Sequence, residues 1–445
     1  MKRTYQTTFG ALALIVAQSL STVSAAEISI EQVSADVVAL AGDNTLGRAA
    51  DGEGIKLAEK YIADEFKAAG LQPFFGESYF QGFSLYHYQP RPFQIEINGV
   101  ALSETQAFAV GSAKNIDWQM ADSNIIRIGA QQDFRATLGQ LNSSGESALV
   151  LVDKAHEQLF NGFANYLKSG TKSLTEKNGN ALVFALSNEQ DIKSLVVSGG
   201  FEQKQVTLNN VAGVLKGKTR ANEYVVFSAH HDHIGHQDGT DSTEDTIYNG
   251  ANDDASGVSA VLNLARYYQQ FADRERSILF ITFTAEEMGL LGSEHFGTTI
   301  DAEEMVAMFN IEMIGKASEF GPGKMWMTGM ERSNLGQLLN TNLPQQLKDE
   351  NYRIEADPYP DFQLFYRSDN ASLARLGVPA HSISSTQISN DRDYHKVSDE
   401  ISTLDFNQMT DIIKVLSQVS QPIVNAEQTP ERIQPLPARS QGHFF

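Results

Sequence analysis

Residues 224–236 read YVVFSAHHDHIGH. The opening YVVFSA is the length of a buried strand and too short for a helix, and four of the chain's ten histidines follow within seven positions. In an open α/β sheet, ligands collect beyond the carboxyl ends of the strands, where the connecting loops converge. A histidine cluster in that position therefore marks both a strand end and a candidate site.

Working outward from this stretch, buried strand patterns alternate with helical ones: GVSAVLNLARYYQQF, SILFITFTA, EEMGLLGSEHF, AMFNIEM and ASLARLGVPAHSIS. Such alternation predicts an α/β fold, three-layer αβα, with a mostly parallel mixed central sheet. Upstream, DGEGIKLAEKYIADEFKAAGL places Ile55, Ala58, Ile62, Phe66 and Ala69 on one helical face, with Gly70 as a stop. Between residues 89 and 209 the texture changes to short segments such as FQIEI, ALVLV and ALVFAL, read as an inserted β-rich domain. The expected division is a signal peptide over 1–25, the N-terminal part of the catalytic domain over 26–88, the insert over 89–209, the catalytic domain over 210–425 and a flexible tail over 426–445.

The signal peptide rests on Lys2 and Arg3 followed by GALALIVAQSL and the small residues STVSAA, which predicts export to the periplasm or beyond. No later segment approaches the roughly 20 apolar residues of a membrane span, so membrane insertion is not expected. A formal charge of −21 disfavours nucleic acid as a partner. With no cysteine, any metal must be held by His, Asp and Glu. The sequence does not set the oligomeric state.

In an extended HHDH, His230 and Asp232 face one way and His231 and His233 the other. His230 with Asp232 fits a metal-binding imidazole steadied by a carboxylate. His231 with His233 would fit the H-x-H pair of an amidohydrolase barrel, but the chain has no barrel pattern. The H-x-H-x-D-H motif of metallo-β-lactamase-like hydrolases fails because Ser228 stands where its first His belongs. Further along, ANDDASG offers Asp253 and Asp254, FTAEEMG offers Glu286 and Glu287, NIE ends in Glu312, and DYHKVSDE supplies His395. Taken singly, Asp253 reads as a helix cap and Glu286–Glu287 as a solvated helix start. Their recurrence at one sheet edge is harder to attribute to packing. Two imidazoles and three carboxylates, one bridging, can hold two divalent ions about 3.5–4 Å apart and so support hydrolysis.

These stretches, with RSDNASLARLGVPA and the opening LAGDNTLGRAADGEGIKLAEKYIADEFKAAGLQP, resemble the zinc exopeptidases that include bacterial leucyl aminopeptidases, glutamate carboxypeptidase II and glutaminyl cyclases. The resemblance covers about residues 35 to 85 and 210 to 420. It implies His230, Asp253 and Glu312 on one zinc, and Asp253, Glu287 and His395 on the other. Asp253 bridges, Glu286 is the general base, Asp232 steadies His230, and His233 and His236 are loop or pocket residues. It also implies a cis peptide between Asp253 and Asp254. Two positions depart from the family: Glu312 stands where aspartate is commoner, and Asn370 where His often follows SD. The insert, around GESALVLVDKAHEQLF and NGNALVFAL, looks like a protease-associated domain.

The resulting expectation is an exported di-zinc exopeptidase acting on peptides, an aminopeptidase with a carboxypeptidase on the same scaffold as the alternative, and with cobalt or manganese also suited to the ligands. A glutaminyl cyclase and a binding protein that has lost its metals are the competing readings. AGVLKGKT is not a phosphate loop, since Ala212 stands where Gly is needed.

Overall fold

Helix α1 (Ile30–Leu40) begins at Ser29, whose side chain accepts the Gln32 N–H, and α2 (Ile55–Ala68) buries Ile55, Ala58, Ile62 and Phe66. In this computed structural model, residues 27–237, 244–271 and 274–437 are described. The signal peptide expected over 1–25 lies outside them, as do residues 438–445 of the expected tail.

The central sheet is built from β1 (Phe80–Pro90), β2 (Phe201–Leu215), β3 (Arg220–His230), β4 (Arg276–Phe283), β5 (Met305–Ile311), β6 (Trp326–Met327), β7 (Glu355–Ala356) and β8 (Ala380–Ser384). Its order is β7-β6-β8-β5-β3-β4-β2-β1, continued by Thr171–Ser173. The four middle strands β8, β5, β3 and β4 are parallel, whereas β2 joins β4 and β6 joins β8 antiparallel. This is the mostly parallel mixed sheet that the alternation predicts.

Strand periodicity divides the core into two layers. Val225, Phe227 and Ala229 of β3 pack on the face covered by α1, α2, α3 (Ser256–Gln269) and α4 (Phe406–Val419). Tyr224 and Val226 point to the opposite face, against Phe296, Leu373 and Val378. Both faces of β3 are thus covered, which explains why its sequence is continuously apolar rather than alternating.

The insert holds two four-stranded sheets. It also contains helices Phe134–Ser144 and Glu157–Leu167, whose Phe134, Leu138, Phe160 and Phe163 bury against Val150, Val152 and Phe184. The boundaries expected near 89 and 209 fall inside β1 and β2, which pair continuously from Phe80↔Val211 to Pro90↔Phe201. A hydrogen-bonded ribbon, not a loop, therefore joins the insert to the sheet. Residues 426–437, expected to be loose, are packed instead. Ile433 is buried, and the buried Arg276 donates to the Gln428 carbonyl at 2.7 Å and the Thr429 hydroxyl at 2.6 Å. A buried guanidinium requires such acceptors, and the proline-containing segment supplies them.

Candidate metal centre

The carboxyl ends of β3, β4 and β5, with the α3 N-terminus, converge on Asp253. One of its oxygens, Oδ1, lies 3.1 Å from His230 Nε2, which is 3.3 Å from Glu312 Oε1. The other, Oδ2, lies 3.3 Å from His395 Nε2, which is 3.2 Å from Glu287 Oε2. All five residues to which the resemblance gives a metal are brought together, with one Asp253 oxygen turned to each group. Glu312 Oε2 accepts the Ser368 hydroxyl at 2.6 Å, fixing the longer glutamate side chain. The Asp253–Asp254 peptide is cis.

His233 lies in the loop beyond β3, as expected, but its ring does not face the solvent. Beyond His230 the chain leaves the sheet, so strict alternation of side chains no longer applies. The His233 ring turns inward, with Nδ1 2.7 Å from Glu287 Oε1 and 4.0 Å from Asp253 Oδ2. Carboxylate and imidazole atoms form two three-membered groups, His230–Asp253–Glu312 and His233–Asp253–Glu287, whose donor atoms lie within 4.8 Å of one another. His231 points away and bonds Thr282 Oγ1 at 3.0 Å, while His236 is exposed.

Asp232 meets the His230 ring as expected, but chiefly through its main chain. His230 Nδ1 sits 3.1 Å from the Asp232 main-chain oxygen and 3.7 Å from its carboxylate. That carboxylate also accepts the backbone N–H groups of Glu286 and Glu287, at 3.1 and 3.3 Å. These amides come after Ala285, whose φ of 55° turns the chain sharply at the end of β4.

Three supports had no assigned role in the sequence. Asp399, four residues after His395 in DYHKVSDE, accepts the Asn252 and Asp253 amides. Asp254 accepts the amides of Gly257 and Met313, both at 3.0 Å. Arg48, fully buried, donates to the carbonyls of Leu40, His231, Asn249 and Gly250. The spacing of Asp399 from His395 is a usable sequence signal; nothing local marks Arg48.

The electrostatics follow from putting many carboxylates in little water. Burial alone would depress the His395 imidazole, but Asp253 and Glu287 outweigh it and hold it at about 10. Burial would raise Glu287, yet contact with His233 and His395 brings it down to about 2. Glu286 is raised well above the usual range by removal from water, then by Glu287 and Glu312. Asp232, raised by burial, sits at about 6. A cation among these groups would relieve the repulsion, and imidazole with carboxylate is a zinc donor set. The residues therefore fit one or more divalent ions.

A cavity of about 310 Å³ opens onto the centre: His230, Asp253, Glu287, Glu312 and His395 line it together with Glu286, Arg367 and Tyr394, and Met313, Trp326, Leu364 and Ile388 form its apolar part.

Residues 210–420 match the model of peptidase family M28. Aminopeptidase YwaD of Bacillus subtilis is 34% identical over 121 residues, 25% of this chain and 24% of that protein. Leucine aminopeptidase 1 of Neurospora crassa is 30% identical over 211 residues, 45% of this chain and 50% of that protein. The chain spans a quarter to a half of the length of these curated relatives. Among solved structures, an aminopeptidase from Aneurinibacillus sp. strain AM-1 aligns with a TM-score of 0.56 at 19% identity, covering 93% of this chain and 97% of that one. A zinc aminopeptidase from Bacillus subtilis aligns with a TM-score of 0.53 at 17% identity, covering 90% and 97%. These two likenesses establish the shared fold.

Proposed function

We propose that this chain, which carries a peptidase family M28 domain over residues 210–420, is a di-zinc aminopeptidase that removes apolar residues from the N-terminus of peptides. The observation that carries the reading is Asp253, whose two carboxylate oxygens face two separate groups of ligands. His230 and Glu312 would hold one ion, Glu287 and His395 the other, with Asp253 between them. When bound, divalent ions polarise a scissile carbonyl and lower the pKa of a bound water.

The chain's own residues supply the rest. Glu286 takes the proton from the attacking water and returns it to the leaving amine. It is raised when the site is empty of cations and is left ionised by the positive charge of a loaded site, as a base must be. Asp232 holds the Glu286 backbone in place. Met313, Trp326, Leu364 and Ile388 offer an apolar side chain about 25 cal/mol per Å² of buried surface, which favours leucine-like terminal residues. The surrounding carboxylates favour a free α-amine.

Arg367 supports a second reading. It lines the same cavity and would pair with a peptide's α-carboxylate, as a carboxypeptidase requires. Incubating the zinc-loaded protein with one peptide, free and N-acetylated, separates the two. Loss of N-terminal residues from the free form alone is expected; trimming of the acetylated form from its C-terminus would replace the aminopeptidase reading. Cyclisation of an N-terminal glutamine would instead favour glutaminyl cyclase chemistry. Export of the protein rests on residues 1–25 and is checked by locating it in fractionated cells.

A further inference from the structure

We infer that His233 is a fourth protein ligand of the Glu287–His395 metal position, so that this position is the tighter of the two. The inference rests on the proposed metal centre and concerns how it is built.

The His233 side chain is fully buried, whereas His395 is 39% exposed. Its Nδ1 lies 2.7 Å from Glu287 Oε1, yet neither atom makes a hydrogen bond. At that separation a donor and acceptor aimed at each other would bond; these two are aimed elsewhere. A protonated His233 ring can form an ion pair with Glu287 at this distance, but buried polar atoms out of line for a hydrogen bond recover only part of their desolvation cost. A shared cation removes that cost, because the lone pairs of two ligands converge on the metal rather than on each other.

The ring is also held in place. Its backbone N–H donates to the Arg48 carbonyl at 3.1 Å, and a Cβ at position 250 would meet ring atom Cδ2 at 2.5 Å. Gly250, at φ 55°, thus leaves room for the imidazole. Glu287 is shared between the histidines, Oε1 toward His233 and Oε2 toward His395. With Asp253 Oδ2, four residues then face this position, the number of ligands zinc prefers in closed sites. The His230–Asp253–Glu312 position has three and keeps a place open. The chemistry is therefore expected at the His230 side, while the His233 side fills first and empties last.

The test reads metal binding directly. X-ray absorption on the native, zinc-loaded full chain should count about 1.5 imidazoles per zinc when two ions are bound, three histidines over two ions. If a single ion is bound, two imidazoles should lie on it. A count of about one per zinc in either state overturns the inference. In parallel, zinc is titrated into the metal-free chain against a competing chelator. His233→Gln should weaken one binding step by more than about 100-fold and leave the other nearly unchanged. A loss within the roughly 10–100-fold typical of residues that only bond to a ligand would make His233 a partner of Glu287 and overturn the inference. Unchanged binding would do the same. Should His233→Gln fail to fold, the imidazole count on the native protein still decides. A protein with the expected count that cleaves no peptide would sink the aminopeptidase reading and leave this one standing; a chain that binds no zinc would overturn both.

Discussion

The Asp232 carboxylate accepts the backbone N–H of Glu286 at 3.1 Å, tying the end of β3 to the residue proposed as the general base. Asp232 is fully buried and its second oxygen holds the Glu287 amide, so one side chain sets both glutamates. Asp232→Ala should lower kcat by roughly 10–100-fold, the usual effect of losing a partner that orients a ligand. KM should change little. Steady-state kinetics check this; an unchanged kcat would mean the Ala285 turn holds the loop unaided.

Glu286→Gln keeps the size and removes the base. The variant should bind zinc as the parent does, while turnover falls by about 10²–10⁴-fold. Metal content and kcat are measured on the same preparation. Parent-like turnover would assign the proton transfer to another group.

Arg48 donates to four carbonyls from three separate segments, among them those of Asn249 and Gly250, just before the Asp253 loop. Arg48→Met leaves them without a donor in a buried setting. A loss of about 3–5 kcal/mol of stability is expected, with weaker zinc binding alongside. Denaturant unfolding with and without zinc reads both, and a variant as stable as the parent would refute the bracing role.

Glu59, buried under Asn209, which donates to it at 3.1 Å, is pushed up to about 7 by burial. The raised value means the folded protein holds this proton more tightly than the unfolded chain. Its stabilising contribution is full below about pH 4.5 and is lost as pH rises through about 7. Glu59→Gln keeps the neutral form at every pH. The variant should match the parent near pH 4.5 and melt higher above pH 7. A melting-temperature difference that stays flat from pH 5 to 8 would show that Glu59 ionises freely.

Much of the centre was legible because a sheet's topology puts every parallel strand end on one edge. His230, Glu287 and Glu312 follow strands whose apolar runs are unmistakable, and Asp253 stands just before α3. His233 was not legible, because its direction depends on where the chain leaves β3. Asp399 bonds the Asp253 amide from 146 residues away, and Arg48 reaches Gly250 across 202. No local pattern marks such pairs.

The alternation of strands and helices from residue 210 on, the α/β class and the candidate metal-ligating residue types were readable from sequence, since burial periodicity and donor chemistry are local properties, whereas helices Phe134–Ser144 and Glu157–Leu167 of the insert were not. Tertiary packing settled that the Asp232 carboxylate bonds the glutamate loop while its main-chain oxygen meets the His230 ring, that His233 turns toward Glu287, and that residues 426–437 cover Arg276. Each of these depends on which distant backbone group needs a partner once water is excluded, and that is fixed only when the chain has closed around it.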